Sequence, residues 1–212
     1  MNTKFLTTAA VLAFSLSTGA QASLVARTGG MVYDTINDIT WAADANLAKT
    51  SGYDADGQMT WANAVAWADQ LTLGGFTDWS LPTTVPAVPY YNQTGSQMGD
   101  LFYNQLGGAA RKNIATTHND NYNLFTHVQS YVYWSSSEEG FYCGGGDCVP
   151  NPGYYGHAWY FDTYGEQFFT VKEAPFFAWA VRPGDVPVPG AFWLFGTALV
   201  GLIGLKRRGS IG

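Results

Sequence analysis

Three groups of residues in this 212-residue chain could carry chemistry. Ser135-Ser136-Ser137 together with His118, His127 and His157 supply the parts of a hydrolase. That chemistry needs a Ser on a sharp turn beside its base, and no Gly-x-Ser-x-Gly turn exists. In Gly95-Ser96-Gln97-Met98-Gly99 the Ser stands one place early. Period-two alternation instead sends Ser135 and Ser137 to one face of a strand and Ser136 to the other, as at a sheet edge. Asp54-Ala55-Asp56-Gly57-Gln58 alternates oxygens ahead of a glycine, which suits a hard cation. Position twelve of an EF-hand loop begun at Asp54 is Val65, which offers no oxygen, so a plain Asx turn before a helix is expected. Cys143 and Cys148 are the only cysteines. In an oxidising compartment they are expected to close a small disulfide loop, and too few further ligands stand nearby for zinc. No catalytic residue, metal or cofactor is assigned.

Aromatic side chains offer a different chemistry. Sugars are held by flat aromatic faces and a few directed hydrogen bonds, and the chain has 8 Trp and 13 Tyr. Trp41, Trp61, Trp67, Trp134, Trp159 and Trp179 stand at alternating or helical positions and read as core. Tyr90, Tyr91, Tyr122, Tyr142, Tyr154 and Tyr155 stand in loop-like sequence, while Glu138, Glu139, Asp147 and Asn151 are expected in one long loop. From these, Tyr90, Tyr91, Tyr142, Tyr154 and Tyr155, with Glu138 and Asn151, form the candidate polysaccharide site. Trp79 would join them if it lay exposed on the same concave face.

The elements that must position these residues follow from periodicity. Met31–Asp34 and Ile39–Trp41 read as short strands around an Asn37-Asp38 turn. Thr60 is a plausible N-cap for a helix from Trp61 to Leu71, ended by Gly74-Gly75, and Ser96 for a helix from Gln97 to Leu106. Arg111 to Asn123 is polar and unpatterned, hence a surface loop. From Tyr131 onward four aromatic strands are expected, over 131–137, 157–162, 167–172 and 177–182, with a tight hairpin at Thr163–Glu166. Two helices followed by an aromatic meander make an α+β domain.

The ends read as addresses. Residues 1–22 have the form of a secretory signal peptide, with Lys4, an apolar stretch from Phe5 to Leu16 and Ala20-Gln21-Ala22 before cleavage at Ser23. Residues 23–185, about 160 in all, are enough for one domain with a real core. Six bases and all sixteen acids lie in that stretch, so its net charge is minus ten against minus six for the whole chain. Such a field repels nucleic-acid phosphates, and nucleic acid is not expected as a partner. Residues 186–208 comprise Val186-Pro187-Val188-Pro189, an uncharged apolar run over 190–205, and Lys206-Arg207-Arg208. As a helix the run from Ala191 to Leu205 is about 23 Å long, short for a hydrocarbon core of about 30 Å. The basic residues should stay cytoplasmic. A short C-terminal membrane anchor is one reading of this layout.

The layout also resembles a PEP-CTERM sorting signal, by which exosortases of Gram-negative bacteria process surface proteins. The Pro-Glu-Pro core of that family appears here as Pro187-Val188-Pro189. The resemblance implies an exosortase and the secretion machinery as partners, transient insertion of 190–205 in the inner membrane, and delivery to the cell surface or extracellular matrix. A second resemblance covers most of Val32 to Pro183. Its marks are Tyr33-Asp34, Ile39-Thr40-Trp41, Thr60-Trp61-Ala62-x-Ala64, Asp78-Trp79-x-Leu81-Pro82-Thr83, Tyr133-Trp134-Ser135-Ser136-Ser137-Glu138, Ala158-Trp159-x-Phe161 and Ala180-Val181-Arg182-Pro183. Together these are similar to the DUF1566 family, also described as the C-terminal domain of Legionella collagen-like proteins. Ser80 stands where that family usually has Arg, which removes any charge pair that Arg would make. The resemblance implies a C-type-lectin-like fold, with two helices beside a small antiparallel sheet and a binding loop after the first meander strand. The same superfold hosts the formylglycine-generating enzymes, whose paired copper-binding cysteines have the spacing of Cys143 and Cys148. A copper-dependent oxidase is therefore the alternative to polysaccharide binding, and a structural surface protein without ligand is the third reading.

Overall fold

The computed structural model describes residues 23–86, 88–144, 147–150 and 156–184, with backbone alone over 141–150. Both expected ends, the signal peptide and the sorting segment, lie outside these residues. So do Asn151, Tyr154 and Tyr155.

The described residues build three antiparallel-rich sheets and few helices, a mixed α+β architecture. Strands β1 (Leu24–Arg27), β2 (Met31–Asp34), β3 (Ile39–Ala42) and β11 (Val181–Pro183) form the first sheet in the order β1-β2-β3-β11. Asp34 turns β2 into β3: its Oδ1 accepts from the backbone N–H groups of Ile36 and Asn37, at 2.9 and 3.1 Å. Asp38 then takes the left-handed conformation that a short polar side chain tolerates. β1 has no counterpart in the sequence reading, because its four residues carry no clear alternation.

The second sheet holds β4 (Gln58–Met59), β5 (Val132–Glu139), β8 (His157–Asp162), β9 (Gln167–Val171) and β10 (Phe176–Phe177), in the order β4-β10-β5-β8-β9. β6 (Phe141–Gly144) and β7 (Asp147–Pro150) make a separate hairpin. The segment expected as one strand over 177–182 is in fact two. Phe177 pairs in parallel with Tyr133 of β5, whereas Val181 pairs with Trp41 of β3. Ala178, Trp179 and Ala180 carry the chain from one sheet to the other. They are buried throughout, and the burial hides the break that alternation would otherwise reveal.

Among the described residues, two helices are set by local capping. After α1 (Leu47–Thr50), α2 (Trp61–Gln70) starts where Thr60 accepts from the Asn63 N–H. It ends one turn before Gly74-Gly75, which serve another purpose: a Cβ on Gly74 would lie 2.2 Å from Cε of Met31. α3 (Gln97–Asp100) is capped by Ser96 as expected, then loosens into a π-turn over Leu101–Gln105. Met98, Leu101, Phe102 and Leu106 are all buried on it. The polar stretch after Arg111 is not a free surface loop. Arg111 and Ile114 donate their N–H groups to Tyr164 and Thr163, and Ile114 is buried. Its apolar anchors are Ile114 and, partly buried, Tyr122, too few and too far apart to make a pattern.

The core joins the sheets through Trp41, Trp67, Trp79, Trp134 and Trp179. Trp179 meets Trp41, Phe125 and Tyr133 with ring centroids 5.0–5.5 Å apart and donates to the Ala42 carbonyl.

Candidate ligand-binding face

The outer face of the five-stranded sheet carries a continuous line of partly exposed rings. Tyr131 meets Phe176 at 5.8 Å, Phe176 meets Tyr160 at 5.4 Å, Tyr160 meets Phe168 at 6.5 Å, and Phe168 meets Tyr90 at 5.6 Å. Register produces this line: Trp134 of β5 stands opposite Tyr160 of β8, and Tyr160 opposite Phe168 of β9. Trp134 is fully buried beneath Phe176, 4.6 Å away, and forms the floor. The two ends stay open, with Tyr131 48% and Tyr90 58% exposed. The rings do not share a plane. Neighbours tilt by 76°, 75°, 60° and 33° along the line.

Tyr90 reaches the sheet through a buried amide that the sequence reading passed over. Gln167 is fully buried; its Nε2 donates to the carbonyls of Val85 and Val88, and its Oε1 accepts from the Val85 N–H. Backbone bonds between Tyr90 and Gln167 in both directions complete the strap. A polar residue at an alternating strand position looks solvent-facing, and only the loop folded over it made it core.

Strain gathers at this end. Of the five non-glycine residues with positive φ among the described residues, Tyr90, Asn92 and Arg111 lie here. Such conformations persist only where the surroundings hold them, and they cluster at functional sites. Here the Tyr103 hydroxyl accepts from Asn92 N–H and donates to the Gly165 carbonyl at 2.6 Å, while the Arg111 guanidinium sits 5.1 Å over the Tyr91 ring. Gly165 has φ +87°, and a Cβ on it would strike the Tyr103 hydroxyl.

Two carboxylates border the rings. Asp162 Oδ1 accepts from the N–H groups of Tyr164 and Glu166 and so closes the β8–β9 hairpin. Burial raises the Asp162 carboxyl against the opposing pull of these N–H groups. Burial first, and then Glu166 and Asp162, push the Tyr160 phenol up to about 12. Tyr91 is raised for the same causes, with Arg111 working against them. Tyr160 is therefore a neutral hydrogen-bonding group at any physiological pH.

At the Tyr131 end the line opens into a groove of about 350 Å³, lined by Gln58, Gln129, Ser130, Tyr131 and Phe177. Gln129 is fixed in place. Its backbone N–H donates to the Tyr133 hydroxyl at 2.7 Å and its Nε2 to the His127 carbonyl at 2.7 Å.

The sequence-derived candidates distribute unevenly on this structure. Tyr90 and Tyr91 belong to the face. Glu138 does not lie in a loop. β5 runs on through Glu138 and Glu139, with a bulge between Trp134 and Glu138 that alternation could not show. Glu138 pairs there with Lys172 at 2.5 Å, and that ammonium also lies 4.4 Å over the Trp61 ring. Glu139 is buried. Tyr142 lies on β6, and Cys143 stands opposite Cys148 in the β6–β7 register. Trp79 is 2% exposed and belongs to the core, so it adds nothing to a binding face. Tyr122 stacks with His118 at 4.2 Å, away from the line. Ser135 is buried, its hydroxyl accepting from the Thr84 and Ser137 N–H groups. Asp54 makes the expected Asx turn, accepting from Asp56 and Gly57. Among the described residues no group of three or more His, Cys, Asp or Glu could hold a metal ion, and no helix is long and apolar enough to cross a membrane.

Residues 30–182 match the family model described as the Lcl C-terminal domain. The chain belongs to the Lcl C-terminal domain family. The matched stretch begins just before β2 and ends within β11, so it takes in the whole aromatic sheet and both ends of the ring line. No curated protein matches the chain, and no solved structure does. In this Lcl C-terminal domain the remaining motif residues hold the frame. Arg182 grips Asp78 through Nε and Nη2 at 2.7 and 3.0 Å and stacks 4.0 Å over Phe76. The neighbouring Ser80, in the position expected for Arg, pairs by its backbone with Val181.

Proposed function

We propose that this chain is an exported cell-surface or biofilm-matrix protein whose lectin-like domain binds polysaccharide along the Tyr131–Phe176–Tyr160–Phe168–Tyr90 line. The observation that carries the reading is that line itself. Half-exposed rings succeeding one another at 5.4–6.5 Å offer repeated stacking surfaces to a repeating ligand. An apolar strip without a partner of this kind is otherwise unusual on a sheet face. The tilts between rings suit one twisted chain better than the flat face of a crystalline fibre.

Delivery rests on the sequence alone. The signal peptide ending at Ala22 supports export, and the Val186–Pro189, 190–205, Lys206–Arg208 layout supports sorting by an exosortase in a Gram-negative bacterium, with transient inner-membrane insertion. Cys143 and Cys148 are proposed as a disulfide. Opposed positions in an antiparallel ladder bring Cα atoms to about 4.5–5.5 Å, within the span of such a bridge, and the register is of that kind. This favours a covalent clip on the β6–β7 hairpin over a copper pair.

The full chain in mild detergent, titrated with a panel of bacterial exopolysaccharides with and without calcium, tests the reading. Saturable binding that falls at least tenfold in the Tyr90→Ala/Tyr131→Ala double variant is expected. Failure of every glycan to bind would leave a structural surface protein as the better description.

A further inference from the structure

We infer that the groove at the Tyr131 end is a subsite for an uncharged pyranose unit, so that the ligand is a neutral polysaccharide, bearing hydroxyl or acetamido groups and not uronate, phosphate or sulfate. This rests on the polysaccharide reading above and narrows it. The groove holds about 350 Å³, at the small end of the roughly 300–1,000 Å³ common for ligand sites. Its lining combines the half-exposed ring of Tyr131, with the nearly buried Phe177 behind it, and two amides and one hydroxyl, from Gln58, Gln129 and Ser130. No charged side chain lines it. Amides offer both a donor and an acceptor, which is what sugar hydroxyls and acetamido groups require; a carboxylate or sulfate would need a cation.

Two further observations agree. Gln129 is positioned before any ligand arrives, by its bonds to Tyr133 and His127, so ordering it costs little on binding. The approach is acidic: Asp56 Oδ1 accepts from the Gln58 N–H, Asp54 turns the loop just before it, and residues 23–185 carry net minus ten. An anionic chain laid from the groove along the rings would be repelled along its path. Arg111 and Lys112 lie at the opposite, Tyr91 end. Neither lines the groove.

The test uses full chain in detergent, titrated with neutral oligosaccharides (β-linked glucose and N-acetylglucosamine oligomers) and with alginate and heparin as anionic probes. Neutral oligomers are expected to bind and the anionic probes to fail as competitors. Gln58→Leu and Gln129→Leu are each expected to weaken binding roughly fivefold, the worth of one neutral hydrogen bond, with unchanged near-ultraviolet circular dichroism. Gln129→Asn serves as the milder variant should the Leu form lose that signal. Anionic probes binding as tightly as neutral ones, or full affinity in the Gln58→Leu/Gln129→Leu double variant, would overturn the subsite while leaving the ring line intact. Failure of every glycan to bind wild type would overturn both readings, whereas a Tyr90→Ala/Phe168→Ala variant, which removes rings of the line that do not border the groove, tells a failed line from a failed subsite.

Discussion

On the inner face of the five-stranded sheet Tyr133 is sealed against Trp179 and Phe161 against Phe102. On the outer face Phe176, Tyr160 and Phe168, from the same sheet and of the same residue types, stay half open to solvent. Hydrophobicity does not distinguish the faces. What does is whether another element closes over them: α3 and the Trp179 crossover cover one side, and a single strap ending at Tyr90 borders the other. Aromatic residues on the first face therefore answer for stability, and those on the second are free to answer for binding.

That contrast can be broken at its strongest point by Trp179→Ala. The ring touches three aromatic neighbours and holds the Ala42 carbonyl, so its loss should cost about 3–5 kcal/mol in urea unfolding. A loss under about 1 kcal/mol would mean the inner face is not the core it looks to be. Arg182→Lys comes next. It gives up the bidentate grip on Asp78 and the stacking on Phe76, and should cost about 1 kcal/mol, held low because Asp78 is half exposed. The hydrogen bond from Arg182 holds the Asp78 carboxyl below its ordinary 3.8. Its contribution is present above that value and is lost as pH falls through the lower folded value. The variant should accordingly show a weaker acid limb below about pH 3.8, read from melting temperature against pH.

Asp162→Asn sharpens the comparison from the other side. Burial raises the Asp162 carboxyl above 3.8, so the charged form disfavours folding, and wild type should gain stability as pH falls through the folded value toward 3.8. An Asn oxygen can still accept from Tyr164 and Glu166, so the variant should lie within about 0.5 kcal/mol of wild type at pH 7 and lose that gain. The smallest stability effect belongs to Tyr90→Ala, under about 0.5 kcal/mol at so exposed a position. Its glycan affinity should nevertheless fall several-fold, and an unchanged affinity would move the binding face elsewhere. Spectrophotometric titration adds a check on the line: Tyr160 should ionise only near 12, with the more deeply buried Tyr133 higher still, and should move only part of the way down when Asp162 and Glu166 are both replaced by their amides, because burial, the larger cause, remains.

The residue pattern alone determined those features whose causes are local. Thr60 and Ser96 cap their helices because a hydroxyl three residues ahead of an N–H is sufficient, and Asp54 makes its turn for the same kind of reason. The meander strands at 157–162 and 167–171 follow from two-residue alternation, the burial of Trp67 from helical spacing, and that of Trp41, Trp134, Trp159 and Trp179 from their places in apolar, strand-like runs. The family was legible too, since its motifs are short runs that keep their spacing. Four things lay beyond such reading: the bulge that draws Glu138 into β5, the crossing of Ala178–Ala180 between sheets, the burial of Trp79 and the strap held by Gln167. Each depends on contacts between residues far apart in the chain, and no window of neighbours contains that information. The ring line is the clearest instance: its five members come from 90 to 176, and only register and crossover bring them side by side.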